Sequence, residues 1–283
     1  MNRSSRTVDR RWGVSYKTRT WSAQVAQSVE QWTENPRVRG SIPRLGTTSK
    51  TEVAHLRDLI FCMGKAVERC PRYNPLMTKA KVKLGILISG RGSNMKAIVE
   101  ACESGEVPAT VERVISNRQG APGIDWARDR GIECRVLPHR DFESREAHDR
   151  AVVGDLKAAG VQWVCLAGYM RLLSPWFVEA FPQRILNIHP SLLPAFPGLS
   201  AQTLAWDYGV GWTGCTVHLV DAELDHGPIV GQQAVPVEPY ASVEDLQSAI
   251  LEQEHLLYVR ALRRLLSQEW RLDGRRIVYC QPS

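Results

Sequence analysis

The sequence predicts an α/β fold: an open, mainly parallel twisted sheet flanked by helices, with an antiparallel extension and a long C-terminal helix. Three observations carry the prediction. From Lys83 onward, short apolar runs alternate with stretches of helical periodicity, the rhythm of βαβ units. After Pro197 the period shortens to two over 214–220 and 229–237, which are joined by the turn-rich "DAELDHGP". Beyond that, Val243, Leu246, Ile250, Leu257, Val259, Leu262 and Leu265 line one face of a long helix.

Five apolar runs have strand length: "KLGILI" (83–88), "VERVIS" (111–116), "ECRVL" (133–137), "WVCLAG" (163–168) and "RILNI" (184–188). Helical patterns lie between them, near 93–103, 121–130, 143–159 and 174–181. The third begins at Ser144 with acids in its first turn, then sets Ala151, Val152, Leu156 and Ala159 at helical spacing, as a surface helix does. The pair 214–220 and 229–237 reads as an antiparallel extension of the sheet. Residues 77–283 therefore form one domain of about 200 residues.

With 43% hydrophobic residues in 283, there is ample material for a core. No window approaches the roughly eighteen uninterrupted apolar residues of a membrane-spanning helix, and the N-terminus lacks the apolar middle of a secretory signal. Seven widely spaced cysteines without a CxxC pair point to neither a disulfide framework nor a zinc site, which fits a reducing cytoplasm. The net charge of +6 is unevenly spread. Of 36 Lys and Arg, 14 fall in residues 1–76 against 6 of the 30 Asp and Glu, so the remainder carries 22 basic and 24 acidic residues. A slightly acidic body is a poor nucleic-acid partner.

Residues 1–76 are rich in Ser, Arg, Thr and Gln, with little periodicity beyond a short helical pattern near 51–62. A disordered tail and an organelle transit peptide are two readings. A third is that the segment is not native. "AQSVEQWTENPRVRGSIPRLGT" looks like the conceptual translation of a transfer-RNA gene, with Gly-Ser-Ile-Pro encoded by a T-arm and Ala-Gln-Ser-Val-Glu-Gln by a D-arm. This third reading is favoured: the true start is Met77, ahead of Met63 or Met1.

Three local patterns could carry chemistry. "ILISGRGSN" feeds a strand through glycines into a helix start, where free N–H groups of Gly92, Ser93 and Asn94 suit an anion. It matches neither the dinucleotide fingerprint nor a P-loop, and a plain strand-to-helix turn explains it equally well. In "ILNIHPSLLPAFPG", Asn187 and His189 stand two apart on one face at a strand's carboxyl end, where open parallel sheets bind ligands. They could also simply satisfy local backbone groups. Asp225, in the turn of "VHLVDAELDHGPIV", could cap that turn or project toward His189, whose charged form it would favour. His218, His226 and Asp225 as metal ligands are the minor alternative, since no HxxxH or HExxH spacing is present.

Jointly, "ISGRGSN", "LAGYMRLLSPWFV", "NIHPSLLPAFPG", "GCTVHLVDAELDHGPI" and "EQEH" closely resemble the folate-dependent formyltransferases, and among them the phosphoribosylglycinamide formyltransferases of purine biosynthesis. The resemblance runs from about Lys83 to Trp270. It implies a Rossmann-like formyltransferase fold and a catalytic trio of Asn187, His189 and Asp225. It further implies that Gly92, Ser93 and Asn94 hold a substrate phosphate, and that Glu254 contacts the substrate. Arg145, Met170, Arg171, Leu172 and Leu173, with Asn187, would form the folate site. The implied reaction passes the formyl group of 10-formyltetrahydrofolate, a co-substrate, to the amine of glycinamide ribonucleotide without a metal. Both partners are small molecules, the setting is cytoplasmic, with no membrane or nucleic acid, and the chain acts as a monomer or homodimer.

The sequence departs from the family where histidine often follows "FPGL": here Ser200 stands, with Thr203 and Trp206 in the loop beyond. Two relatives share the trio. Formyltetrahydrofolate hydrolase has a sensing domain unlike residues 1–76, and methionyl-tRNA formyltransferase has an extra C-terminal domain, whereas few residues follow Trp270 here. If the start is Met77, a mass measurement on the native protein will find residues 23–48 missing; their presence would refute the reassigned start.

Overall fold

Residues 80–280 are described here, from a computed structural model. The readings of residues 1–76, the helical pattern near 51–62 and the start at Met77 lie outside the described residues.

The chain runs β1 (Val82–Ile88), α1 (Ser93–Glu103), β2 (Ala109–Ser116), α2 (Pro122–Asp129), β3 (Cys134–Val136), a 3-10 turn (His139–Asp141), α3 (Arg145–Ala158), β4 (Trp163–Leu166), α4 (Pro175–Ala180) and β5 (Ile185–His189). It continues with α5 (Ala201–Tyr208), β6 (Trp212–Leu219), β7 (Ile229–Pro236), α6 (Val243–Ser267), β8 (Trp270–Asp273) and β9 (Arg276–Tyr279). The strands join in one sheet ordered β3-β2-β1-β4-β5-β6-β7-β9-β8. The first five in that order are parallel, and β6 and β7 add to them antiparallel. This is the predicted architecture.

Parallel strands must bury both faces, and the side-chain alternation shows how this is done. Leu84, Ile86 and Ile88 of β1 join a core with Met95 and Ile98 of α1, Ile124 of α2 and Leu257, Tyr258 and Leu262 of α6. Leu87 joins the opposite core with Val152 and Leu156 of α3 and Phe177 of α4. The helix α3, read as a surface element, thus buries His148, Asp149, Val152, Val153 and Leu156 on one side. Its start is as predicted, with the Ser144 hydroxyl accepting from the Ala147 N–H.

From β1 the chain winds outward through β2 and β3, then returns to β4 and β5 on the other side of β1. The carboxyl ends of β1 and β4 therefore diverge at a switch point, where a crevice opens. Ser89, just past β1, ties its rim together. Its N–H donates to Gly168 O (3.2 Å), its hydroxyl donates to Asn117 Oδ1 (2.6 Å), and it accepts from the Met170 N–H (2.8 Å).

Two elements were not foreseen. Residues 201–208, read as loop, form α5, which buries only Ala201 and Ala205; methyl groups leave a faint periodic trace. The hairpin β8–β9 closes the sheet edge through a two-residue turn, with Asp273 opposite Arg276 and Gly274 at φ 58°. Asp-Gly is a hairpin signal, but four-residue strands carry little periodicity around it. Among the described residues no helix is long and apolar enough to cross a membrane.

The α6 face is locked to the sheet by the fully buried Tyr258, whose hydroxyl lies 3.2 Å from Leu166 O and 3.0 Å from Leu186 O. Tyr258→Phe leaves the ring and removes the donor. We expect a loss of about 1–2 kcal/mol, seen as a melting point lower by about 2–8 °C; an unchanged midpoint would mean that the hydroxyl is dispensable.

Candidate functional site

The strand β5 runs one residue further than predicted and ends on His189, which pairs with Thr216 of β6 as Asn187 pairs with His218. The segment after it is pinned to the sheet edge. Thr216 Oγ1 donates to Ser191 O (2.7 Å) and accepts from Leu193 N–H (3.1 Å), and Gln232 Nε2 donates to Leu193 O (2.8 Å). So held, the segment turns Phe196 O onto His189 Nε2 at 2.8 Å. A carbonyl only accepts, so Nε2 carries hydrogen.

The other ring nitrogen, Nδ1, lies 3.3 Å from Asp225 Oδ2, and both side chains are more than nine-tenths buried. The carboxylate also accepts from the Gly198 N–H at 2.8 Å, so Asp225 both holds a turn and reaches the histidine. The two uses weighed in the sequence are one arrangement. With a carbonyl on one nitrogen and a carboxylate on the other, the His189 ring is surrounded as a donor on both sides.

Asn187 is anchored by a residue that sequence reasoning weighed only as a metal ligand. His218 Nδ1 sits 2.9 Å from Leu219 O, so its hydrogen is on Nδ1. Nε2 is then an acceptor, 3.2 Å from Asn187 Nδ2 and 3.8 Å from Asp225 Oδ1. Burial, helped by the nearby His189, holds the His218 pKa below its ordinary value against the Leu219 carbonyl and Asp225. This fixes which way the Asn187 amide faces and leaves its second N–H and its Oδ1 without partners among the described residues. Its place follows from the antiparallel register of β5 and β6, which sets it directly across from Asn187 and which the sequence does not give. His226 instead sits 2.8 Å from Asp221 Oδ2, away from this group. Among the described residues no three His, Cys, Asp or Glu cluster as metal ligands would.

At the β1 end, Gly92 caps α1 at φ 67°, with Met95 Cε only 3.0 Å from where a β-carbon would stand. A side chain there would be strained and crowded. No side chain caps this helix start, so the Ser93 and Asn94 N–H groups face outward. Asn94 is buried and donates to Glu254 Oε2 at 2.7 Å, while its own Oδ1 has no partner. Burial pushes the Glu254 pKa up, opposed by that hydrogen bond. The glycine turn after β1 and the glutamate of "EQEH" thus meet. Between β1 and β5 lies one strand, a separation of about 10 Å.

Of the remaining expected residues, all but Arg145 follow β4. Met170 and Leu172 are 57% and 52% exposed, a bare apolar pair at the crevice rim, with Arg171 and Leu173 half-buried beside them. Ser174 N–H donates to Asp149 Oδ2 at 2.6 Å and fixes where this segment ends. Burial raises the Asp149 pKa, but hydrogen bonds from His148 and Ser174 outweigh it and the net shift is downward. Arg145 opens α3 in an exposed position and makes no hydrogen bond or ion pair with these residues.

The sequence profile of the Formyl transferase family matches residues 82–262. The chain belongs to this family. It is 42% identical over 190 residues to phosphoribosylglycinamide formyltransferase of Escherichia coli, covering 67% of this chain and 87% of that protein. It is 42% identical over 198 residues to the trifunctional purine biosynthetic protein adenosine-3 of Drosophila pseudoobscura, covering 69% of this chain but only 14% of that longer protein. The crystal structure of glycinamide ribonucleotide transformylase 1 from Symbiobacterium toebii superposes with a TM-score of 0.71 at 45% identity, covering 75% of this chain and all of that one.

His218 makes the site acid-labile. Its folded pKa is depressed, so as pH falls below its ordinary value of about 6.5 the unfolded chain takes up a proton that the folded ring resists, and stability is lost. His218→Gln, which cannot charge, should show a shallower fall in melting temperature between about pH 7 and pH 5. Equal slopes would remove His218 from the account.

Proposed function

We propose that the chain transfers the formyl group of 10-formyltetrahydrofolate to the amine of glycinamide ribonucleotide, giving formylglycinamide ribonucleotide and tetrahydrofolate. The observation that carries this reading is the buried His189 ring between Asp225 and Phe196 O, beside an Asn187 amide oriented by His218. The names of the relatives at 42% and 45% identity support the formyl transfer and its ribonucleotide acceptor.

In this reading the amine attacks the formyl carbon and negative charge grows on the formyl oxygen. Asn187 gives that oxygen its uncommitted amide N–H. His189 shares the Nε2 hydrogen between Phe196 O and the incoming oxygen. Donors already in place when charge develops are worth on the order of a hundred- to a thousandfold each. Asp225 holds the ring through Nδ1 and receives the ammonium proton through water, and that proton leaves with the folate nitrogen as the C–N bond breaks. A formyl amide of this kind is reactive enough that the donors suffice without a Lewis acid.

Gly92, Ser93 and Asn94 take the ribonucleotide phosphate at the α1 start, and Glu254 a hydroxyl of its ribose. A phosphate on the β1 side and an amine on the β5 side then match the single strand between them. Met170 and Leu172 cover a flat pterin, Arg171 and Leu173 complete that wall, and Arg145 meets the anionic tail. The work belongs to purine assembly in the cytoplasm, by a monomer or homodimer.

The test is release of tetrahydrofolate from 10-formyltetrahydrofolate with and without glycinamide ribonucleotide. Amine-dependent release is expected; release without the amine would make the chain a hydrolase. His189→Ala should lower kcat by roughly a hundred- to ten-thousandfold with the melting point nearly kept, and near-normal turnover would remove His189 from its role.

A further inference from the structure

The turn that carries Asp225 is gripped from outside the catalytic group. Its backbone is tightly folded: Leu219 N–H donates to Pro228 O (2.9 Å), and a β-carbon on Gly227 would stand 1.8 Å from Leu219 O. Within it Asp225 sits at φ 49°, a conformation disfavoured for a residue with a side chain. Such a residue keeps its geometry only where its neighbours over-determine it. On the side before Asp225, the Glu223 N–H donates to Asp221 Oδ1 at 3.0 Å. On the side after it, the holder is Arg275.

Arg275 is the second residue of the β8–β9 turn, beyond the segment matched by the family profile. Ile229, opening β7, pairs with Arg276, and this sets the hairpin tip beside residues 226–228. The guanidinium lies against His226: Nη2 donates to the His226 carbonyl, and Nη1 stands 2.7 Å from the ring Nε2 and 3.1 Å from Nδ1. Asp221 Oδ2, 2.8 Å from His226 Nδ1, takes the hydrogen of that nitrogen and leaves Nε2 to accept. The result is a chain Asp221–His226–Arg275 clasping the residue next to Asp225.

We infer that Arg275 is a positioning residue for the reaction: by fixing the His226 carbonyl and ring it holds Asp225 where its carboxylate meets His189. An exposed ion pair would add little stability. A guanidinium that donates to the backbone carbonyl and lies against the ring restrains a direction instead, and a carboxylate that must meet a ring within a few tenths of an ångström is sensitive to direction.

The inference rests on the proposed formyl transfer, and a double-mutant cycle on the full chain separates the two. Arg275→Ala should lower kcat on the order of tenfold and keep both KM values within about twofold. In an Asp225→Asn background the same change should alter the residual rate by less than about twofold, because the group it positions has lost its charge. Arg275→Lys, which keeps the charge without the two-pronged grip, should recover only part of the loss. Equal fold losses in both backgrounds, full recovery by lysine, or an Arg275→Ala enzyme within about twofold of wild type would each overturn the inference. A wild-type chain without transfer activity would overturn the function itself. Should Arg275→Ala unfold at the assay temperature, the cycle is run with Arg275→Lys, and additivity there is equally decisive.

Discussion

The approach of Asp225 to His189 is the interaction on which the site depends, because each of the two is also the anchor of a loop. The carboxylate takes the Gly198 N–H and so ties the turn after β6 to the segment after β5, while the ring takes Phe196 O and ties that segment to its own strand. Holding Asp225 in the left-handed region costs about 1–2 kcal/mol. A backbone N–H on a carboxylate contributes about 1.5–3 kcal/mol, enough to offset it. The pair is more than nine-tenths buried, where removing one partner leaves the other without compensation. A site built this way is stiff.

The change of strand direction between β5 and β6 brings in the second histidine, His218. Although residues 190–211 and the helix α5 separate them in the chain, β6 lies antiparallel beside β5 and sets His218 across from Asn187. The parallel part of the sheet makes the crevice, and its antiparallel extension supplies the side chain that orients the amide in it. The two parts of the architecture predicted from periodicity thus have separate jobs in the site.

The legible part of the molecule is the part with repeated apolar side chains. Every strand from β1 to β7 and the helices α1 to α4 and α6 have sequence counterparts within two residues or so, because buried strands and amphipathic helices leave large residues at fixed periods. The helix α5 fully buries only two alanines, with Trp206 partly buried against the core, and its N-cap Ser200 stands at φ 59° without a side-chain cap bond, so periodicity is faint and no start signal marks it. The departures at Ser200, Thr203 and Trp206 therefore lie at the start and along a helix and not in a loop. Asn187 and His189 were legible from their place at a strand end. His218 was not, because its role is set by the Leu219 carbonyl and a cross-strand partner, contacts distributed over two strands that no spacing rule encodes.

The same distinction applies at the β1 end of the site. Asn94 and Glu254 are 160 residues apart in the chain, yet α1 and α6 bring them to a 2.7 Å hydrogen bond. Glu254, with its pKa raised by burial, favours its neutral form more than a free glutamate does. A neutral carboxyl that accepts from Asn94 on one oxygen has a hydroxyl on the other, and Asn94 keeps an unpartnered Oδ1. A donor and an acceptor left open side by side are suited to a ligand hydroxyl, which gives and takes one hydrogen bond.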